Sequence, residues 1–215
     1  MDEIKETGGA RIGMANASWP FAKLIVNRDR LQLNAGIIGN LVFKPSDIES
    51  IEIDSSFLGS GIKINHTVKN YNANVVFQPM GSSTKLITRI EQTGFLNNKD
   101  ILSEESNSEI ESAQSIGGFP LKIPAIIVIV LIWNALMLND FMKAFNKTTK
   151  GIPFGIGSKL ALAFMFLVCL FLVISESFGR LILKPGRSVD DIRPFVYFLM
   201  FITGVLFLGL TVILH

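Results

Sequence analysis

Residues 194–214 read PFVYFLMFITGVLFLGLTVIL, 21 positions without a charged side chain. A helix rises about 1.5 Å per residue, so a run of this length covers the roughly 30 Å of a bilayer's hydrocarbon. Two similar runs lie upstream. Residues 152–174 include an unbroken apolar stretch from Leu160 to Ile174, with Lys159 near its start placed to snorkel toward water. Residues 121–141 have an apolar centre from Ala125 to Leu138, interrupted only by Asn134. Three such runs joined by short loops leave too little polar surface for a soluble fold. The pattern predicts three membrane-spanning helices within residues 119–215.

The whole composition agrees. Of 215 residues only 18% are charged and 49% are hydrophobic, with a mean hydropathy of +0.43; soluble domains are about 25% charged. The polar residues are segregated, because 14 of the 18 acidic and 11 of the 20 basic residues precede residue 120. A net charge of +2 without a basic stripe argues against a nucleic-acid partner. One Cys forms no intramolecular disulfide, and two His far apart give no metal-ligand spacing. No metal and no cofactor are expected.

Residues 1–17 read as a polar tail, with no apolar h-region behind a positive start. The first span then serves as the insertion signal, which favours a cytoplasmic amino-terminal domain and residence in the cell (inner) membrane. Charge near the spans points the same way. Lys122, Arg180, Lys184, Arg187 and Arg193 lie on the amino-terminal side, against Lys143, Lys147 and Lys150, or four with Lys159, on the other.

Between the halves, residues 97–118 carry Glu104, Glu105, Glu109, Glu111 and five serines. This composition reads as a solvated tether, about 25 Å end to end as a flexible coil.

Residues 18–96 alternate apolar and polar between turn signals. Ala22 to Asn27 and Leu31 to Asn34 flank the tight connection Arg28-Asp29-Arg30. Strands are also expected at Leu41 to Phe43, around Ile48, Ile51 and Ile53, at Gly61 to His66 and at Val75 to Phe77. Ser82-Ser83-Thr84 then caps a helix with Leu86, Ile87 and Ile90 on one face and Gly94 as its stop. Strands followed by one amphipathic helix describe a small bent sheet or barrel capped by a C-terminal helix. The fold class is α+β, a sheet domain followed by three transmembrane helices.

Trp19-Pro20-Phe21-Ala22-Lys23-Leu24, Asp47-Ile48-Glu49-Ser50-Ile51, Gly61 to His66, Val75-Val76-Phe77 and the helix ending Gly94-Phe95 resemble bacterial pleckstrin-homology-like (GRAM-like) domains. The likeness covers residues 10–96. It implies a fold in which some members are attached to membrane spans, and none is implied to be an enzyme by the fold alone. It also implies a basic motif across the first hairpin for anionic lipid headgroups, here Lys23, Arg28 and Arg30, to which Lys63 and Lys69 add charge. Only four residues separate Lys23 from Arg28, fewer than in a loop that cradles an inositol phosphate. The competing reading is a charged edge and turn that keep a sheet soluble.

Other motifs are silent. His66, without a second His or Cys nearby, reads as a packed structural residue. Trp19 and Pro20 read as packing against the barrel end, with a binding role reserved for an exposed ring. Gly155-Ile156-Gly157-Ser158-Lys159 lacks the Gly-Lys-Ser/Thr ending and the preceding strand of a phosphate loop. No catalytic constellation is visible, and ionisable residues sit at span ends, so the spans read as anchors. The function expected is a non-catalytic binding or assembly module held at the bilayer, with an anionic lipid or a membrane-protein partner. The alternative is an accessory subunit of a transporter or channel. A membrane-embedded enzyme would require Asp140, Glu176, Asp190 and Asp191 to converge, and the charge-dense loop from Glu176 to Arg193 is where to look.

Overall fold

The computed structural model describes residues 3–56, 59–98, 103–145 and 154–213. They form two compact units, Met1–Pro120 and Leu121–His215.

The first unit contains strands β1 (Ile4–Ile12), β2 (Ala15–Val26), β3 (Leu31–Asn34), β4 (Asn40–Phe43), β5 (Ile48–Ser56), β6 (Gly59–His66) and β7 (Val75–Pro79). They make one curled antiparallel sheet in the order β4-β3-β2-β1-β7-β6-β5. Strand periodicity places alternate residues on one face. The row Ile4, Val26, Leu31 and Phe43 crosses β1 to β4 in register, and Ala10, Phe77 and Ile62 cross β1, β7 and β6. All of these are buried. Helix α1 (Ser83–Gln92) fills the concave side with Leu86 and Ile90. Ser82 caps it by accepting from Lys85 N, and Arg89 pairs with Glu6 of β1 at 2.8 Å.

Two stretches differ from the sequence expectation. The stretch expected as a tail, residues 1–17, holds β1 and the start of β2 instead, and β1 is the middle strand, paired with both β2 and β7. Its alternation is weak because the packing demands small residues. A Cβ on Gly8 would stand 2.2 Å from the Gln78 carbonyl oxygen and 2.8 Å from the Phe77 ring. The glycine that looks like a loop signal is what lets two strands and a phenyl ring meet.

Residues 97–118 are not a flexible tether throughout, since Glu104–Ile116 form helix α2. Ser103 caps it, and Glu104 and Glu105 in the first turn complement the helix dipole. Ile110 is buried, while Gln114 Nε2 donates to Val42 O at 3.0 Å and to Asp47 Oδ2 at 2.7 Å. The outward edge of β4 is thereby closed without another strand. Asn40 N donates to Gly118 O, Val42 N donates to Tyr71 OH, and Val42 O accepts from Gln114. Covering an edge in this way blocks pairing with other chains.

Lys44 Nζ reaches Asn107 Oδ1 and Glu111 Oε1, and this hydrogen bond holds the Glu111 carboxyl below the usual carboxylate range. A depressed carboxyl pKa stabilises the folded state above the unfolded pKa, and that help is lost as pH falls through the folded value. Hydrogen-exchange protection across α2 is therefore expected to drop more in acid for the parent than for Glu111→Gln. Equal acid responses in the two proteins would remove Glu111 from this account.

The second unit holds α3 (Ile123–Phe145), α4 (Ile156–Ile174), a short α5 (Glu176–Ile182) and α6 (Arg193–Ile213). Three are long and apolar enough to cross a membrane, with mean hydropathies of 2.0 for Ile123–Phe145, 2.4 for Ile156–Ile174 and 2.3 for Arg193–Val212. Large apolar side chains such as Leu131, Phe171 and Phe201 point outward, which suits a lipid solvent. The chain is a multi-pass membrane protein by this criterion. Helix α4 packs against both α3 and α6.

Candidate functional site

The five basic residues expected to bind an anion do not converge. Arg28 and Arg30 lie on the β2–β3 turn, whose backbone is held by Asn27 Oδ1 accepting from Asp29 N and Arg30 N. Asn98 Nδ2 adds donations to Arg28 O and Asp29 Oδ1. Lys23 lies on the outer face of β2, opposite Thr7 and Asn34. Lys63 lies on β6, opposite Glu52 and Val76. With strands about 4.8 Å apart and residues about 3.3 Å apart, Lys63 stands roughly 20 Å from Lys23. Lys69 belongs to the loop before β7, at the Ile12 end of β1, whereas the Arg28 turn sits at the Ile4 end.

What gathers at the Ile4 end is Lys23, Arg30 and a residue sequence reasoning missed, Lys5. Glu3 pairs with Lys5 at 2.5 Å. That bond, with weaker help from Arg30 and Lys23, lowers the Glu3 carboxyl pKa. The basic end thus carries its own acids, Glu3 and Asp29, which reduces its pull on an outside anion.

The convex face offers a different feature. The β1–β2 register runs from Gly8 opposite Ala22 to Ala10 opposite Ala17, so residues 18–21 of β2 bulge against Gly9 alone. The Trp19–Pro20 peptide bond in this bulge is cis. Trp19 is 55% exposed and Met80 is 73% exposed. They flank a hollow of about 360 Å³ that Gly9, Ser60 and Gln78 also line. The reading of Trp19 as packing against the barrel end is corrected by this exposure. Repeated alternation predicts strands, but nothing local marks where a register jumps.

His66 is a packed residue. Its ring lies 5.0 Å from that of Phe43 and 6.1 Å from that of Tyr71, and Nε2 contacts Asn72 O at 3.0 Å.

In the second unit the acids do not meet either. Asp140 lies inside α3, which runs on to Phe145, and packs against the start of α4. Glu176, Asp190 and Asp191 lie beyond the other end of α4, about 28 Å away along its axis. Asp140 is only 3% exposed. Its Oδ2 accepts from Gly155 N at 2.8 Å, Ser158 N at 2.7 Å and Ser158 Oγ at 2.8 Å. The amides that resemble a phosphate loop are occupied by the protein's own carboxylate. Gly157 makes the approach feasible, since a Cβ there would lie 2.5 Å from Leu136 O.

At the other end of α4 the loop singled out by its charge density is folded. Leu121 and Leu183 form a bridge, Lys122 N donates to Ile182 O, and Lys122 Nζ donates to Arg180 O at 2.6 Å. Four of the basic residues counted for orientation, Lys122, Arg180, Lys184 and Arg187, therefore belong to one connected turn region, with Arg193 opening α6. Lys143 lies near the opposite end, while Lys147 and Lys150 fall outside the described residues. Among the described residues no three His, Cys, Asp or Glu side chains are placed to share a metal ion.

No protein-family model, curated protein or solved structure matches this chain.

Proposed function

We propose that this chain is a cell (inner) membrane protein that presents a non-catalytic, pleckstrin-homology-like module to the cytoplasm, and that the module docks a protein segment in the Trp19 hollow. The curled seven-strand antiparallel sheet plugged by α1 supports the family reading. The observation that carries the docking reading is the exposed Trp19 beside Met80, over a hollow large enough for a side chain or two. Tryptophan is over-represented among the few residues that dominate interfaces, each of which costs about 2 kcal/mol or more when truncated. The basic residues, by contrast, are split between two ends of the sheet and accompanied by acids.

A photoreactive residue in place of Met80, in the full chain in its native membrane, is expected to give a discrete protein adduct. Trp19→Ala should weaken that adduct about thirty-fold, while a Lys23→Gln, Arg28→Gln, Arg30→Gln triple variant leaves it intact. Adducts to lipid alone, lost in the triple variant and kept in Trp19→Ala, would replace this reading with headgroup binding.

A second reading, a subunit of a larger membrane complex, is favoured by Asn134. It sits at the midpoint of α3, is exposed, and donates only into its own helix, to Val130 O at 2.8 Å. Amide side chains facing lipid gain from pairing with another helix.

A further inference from the structure

The turn between α4 and α6 borders a half-open cavity of about 410 Å³. Arg180 on α5, Arg187 on the following loop and Arg193 at the first position of α6 line it, together with Glu176 and Asp190. Asp190 is engaged by Arg193 at 2.7 Å, and with three arginines against two carboxylates the lining carries a net positive charge. Its apolar side is made by Leu172 and Val173 of the last α4 turn, with Leu183. Gly179 and Val189 close it from behind, a Cβ on Gly179 meeting Val189 Cγ2 at 3.4 Å.

Its depth is set by the spans. Helix α4 leaves the apolar region at Ile174 and α6 enters it at Arg193, so the cavity lies where hydrocarbon gives way to headgroups. Guanidinium groups match phosphate oxygens with paired donors. Basic pockets between spans are suited to phosphorylated headgroups. An apolar wall beside three arginines also matches a molecule that is anionic at one end and greasy at the other. Neither the Asp140 clasp nor the Trp19 hollow has this combination.

We infer that this cavity binds a phosphate group, and that the phosphate belongs to an anionic phospholipid whose glycerol and first acyl carbons lie against Leu172 and Val173. The inference does not depend on the function proposed for the first unit.

The test uses the purified full chain in detergent, titrated with short-chain phosphatidylglycerol, phosphatidylcholine of equal chain length, or inorganic phosphate, with binding read by native mass spectrometry and thermal shift. Phosphatidylglycerol is expected to bind and stabilise, and each of Arg180→Gln and Arg187→Gln to weaken it about five-fold. Phosphatidylcholine should bind more weakly, with less dependence on either arginine. Arg180 is exposed, so Arg180→Gln keeps the test usable if the Arg187 variant does not fold. Arginine-dependent binding of inorganic phosphate without binding of the lipid would keep the phosphate site and overturn its lipid source. Phosphatidylglycerol binding unchanged in Arg180→Gln, in a protein whose lipid-free melting is also unchanged, would overturn the site.

Discussion

A chain lacking residues 1–12 is expected to insert in the membrane with its first unit unfolded. The deletion removes the strand that joins β2 to β7, leaving β4-β3-β2 and β7-β6-β5 as separate three-stranded pieces. It also removes the buried Ile4 and Ala10 and the Glu6 partner of Arg89. A domain of this size is stable by only about 5–15 kcal/mol, and loss of a middle strand exceeds that margin. Limited proteolysis of membranes checks it. Residues 13–96 should be digested at protease levels that leave the parent's domain whole, while the spans survive. A truncated protein as resistant as the parent would show that β1 is dispensable.

The second large effect belongs to Asp140→Ala. One carboxylate oxygen, on a buried side chain, satisfies two backbone amides and a hydroxyl at the start of α4. Truncation leaves those donors unpaired and removes a helix cap, together about 3 kcal/mol or more. The midpoint of thermal unfolding in detergent should fall by roughly 6–12 °C. Asp140→Asn, whose amide oxygen still accepts, should lose much less. A midpoint unchanged in the alanine variant would mean that the α3–α4 contact is held by side-chain packing alone.

How far the fold was legible can be traced element by element. Strands β3 to β7 and α1 were readable because their apolar residues follow one period at a time and end at recognisable turns. The spans were readable because lipid imposes a length. β1 was not, since Gly8 is explained only by Phe77 and Gln78, which lie some 70 residues later, and Gly9 by the close approach of the Ala17 carbonyl. α2 was not, because a Ser- and Glu-rich segment with Ile110 as its one buried residue looks solvated, and its docking depends on Gln114 reaching Val42 and Asp47.

The sites divide in the same way. Lys23, Arg28 and Arg30 were found as a group because hairpin neighbours stay close in space. Lys63 and Lys69 were grouped with them only by charge, and strand order separates them. For Asp140 a usable sign existed, an acid closing one greasy helix and the small residues Gly155, Gly157 and Ser158 opening the next. The loop from Glu176 to Arg193 was marked by composition alone, and its cavity required three dimensions.

The place of β1 also sets an order of events during synthesis. Its partner β7 leaves the ribosome roughly 60 residues later, a delay of about 3–12 s at about 5–20 residues per second. Until then β1 has one side unmatched, so this strand is the part of the nascent sheet most in need of chaperone cover.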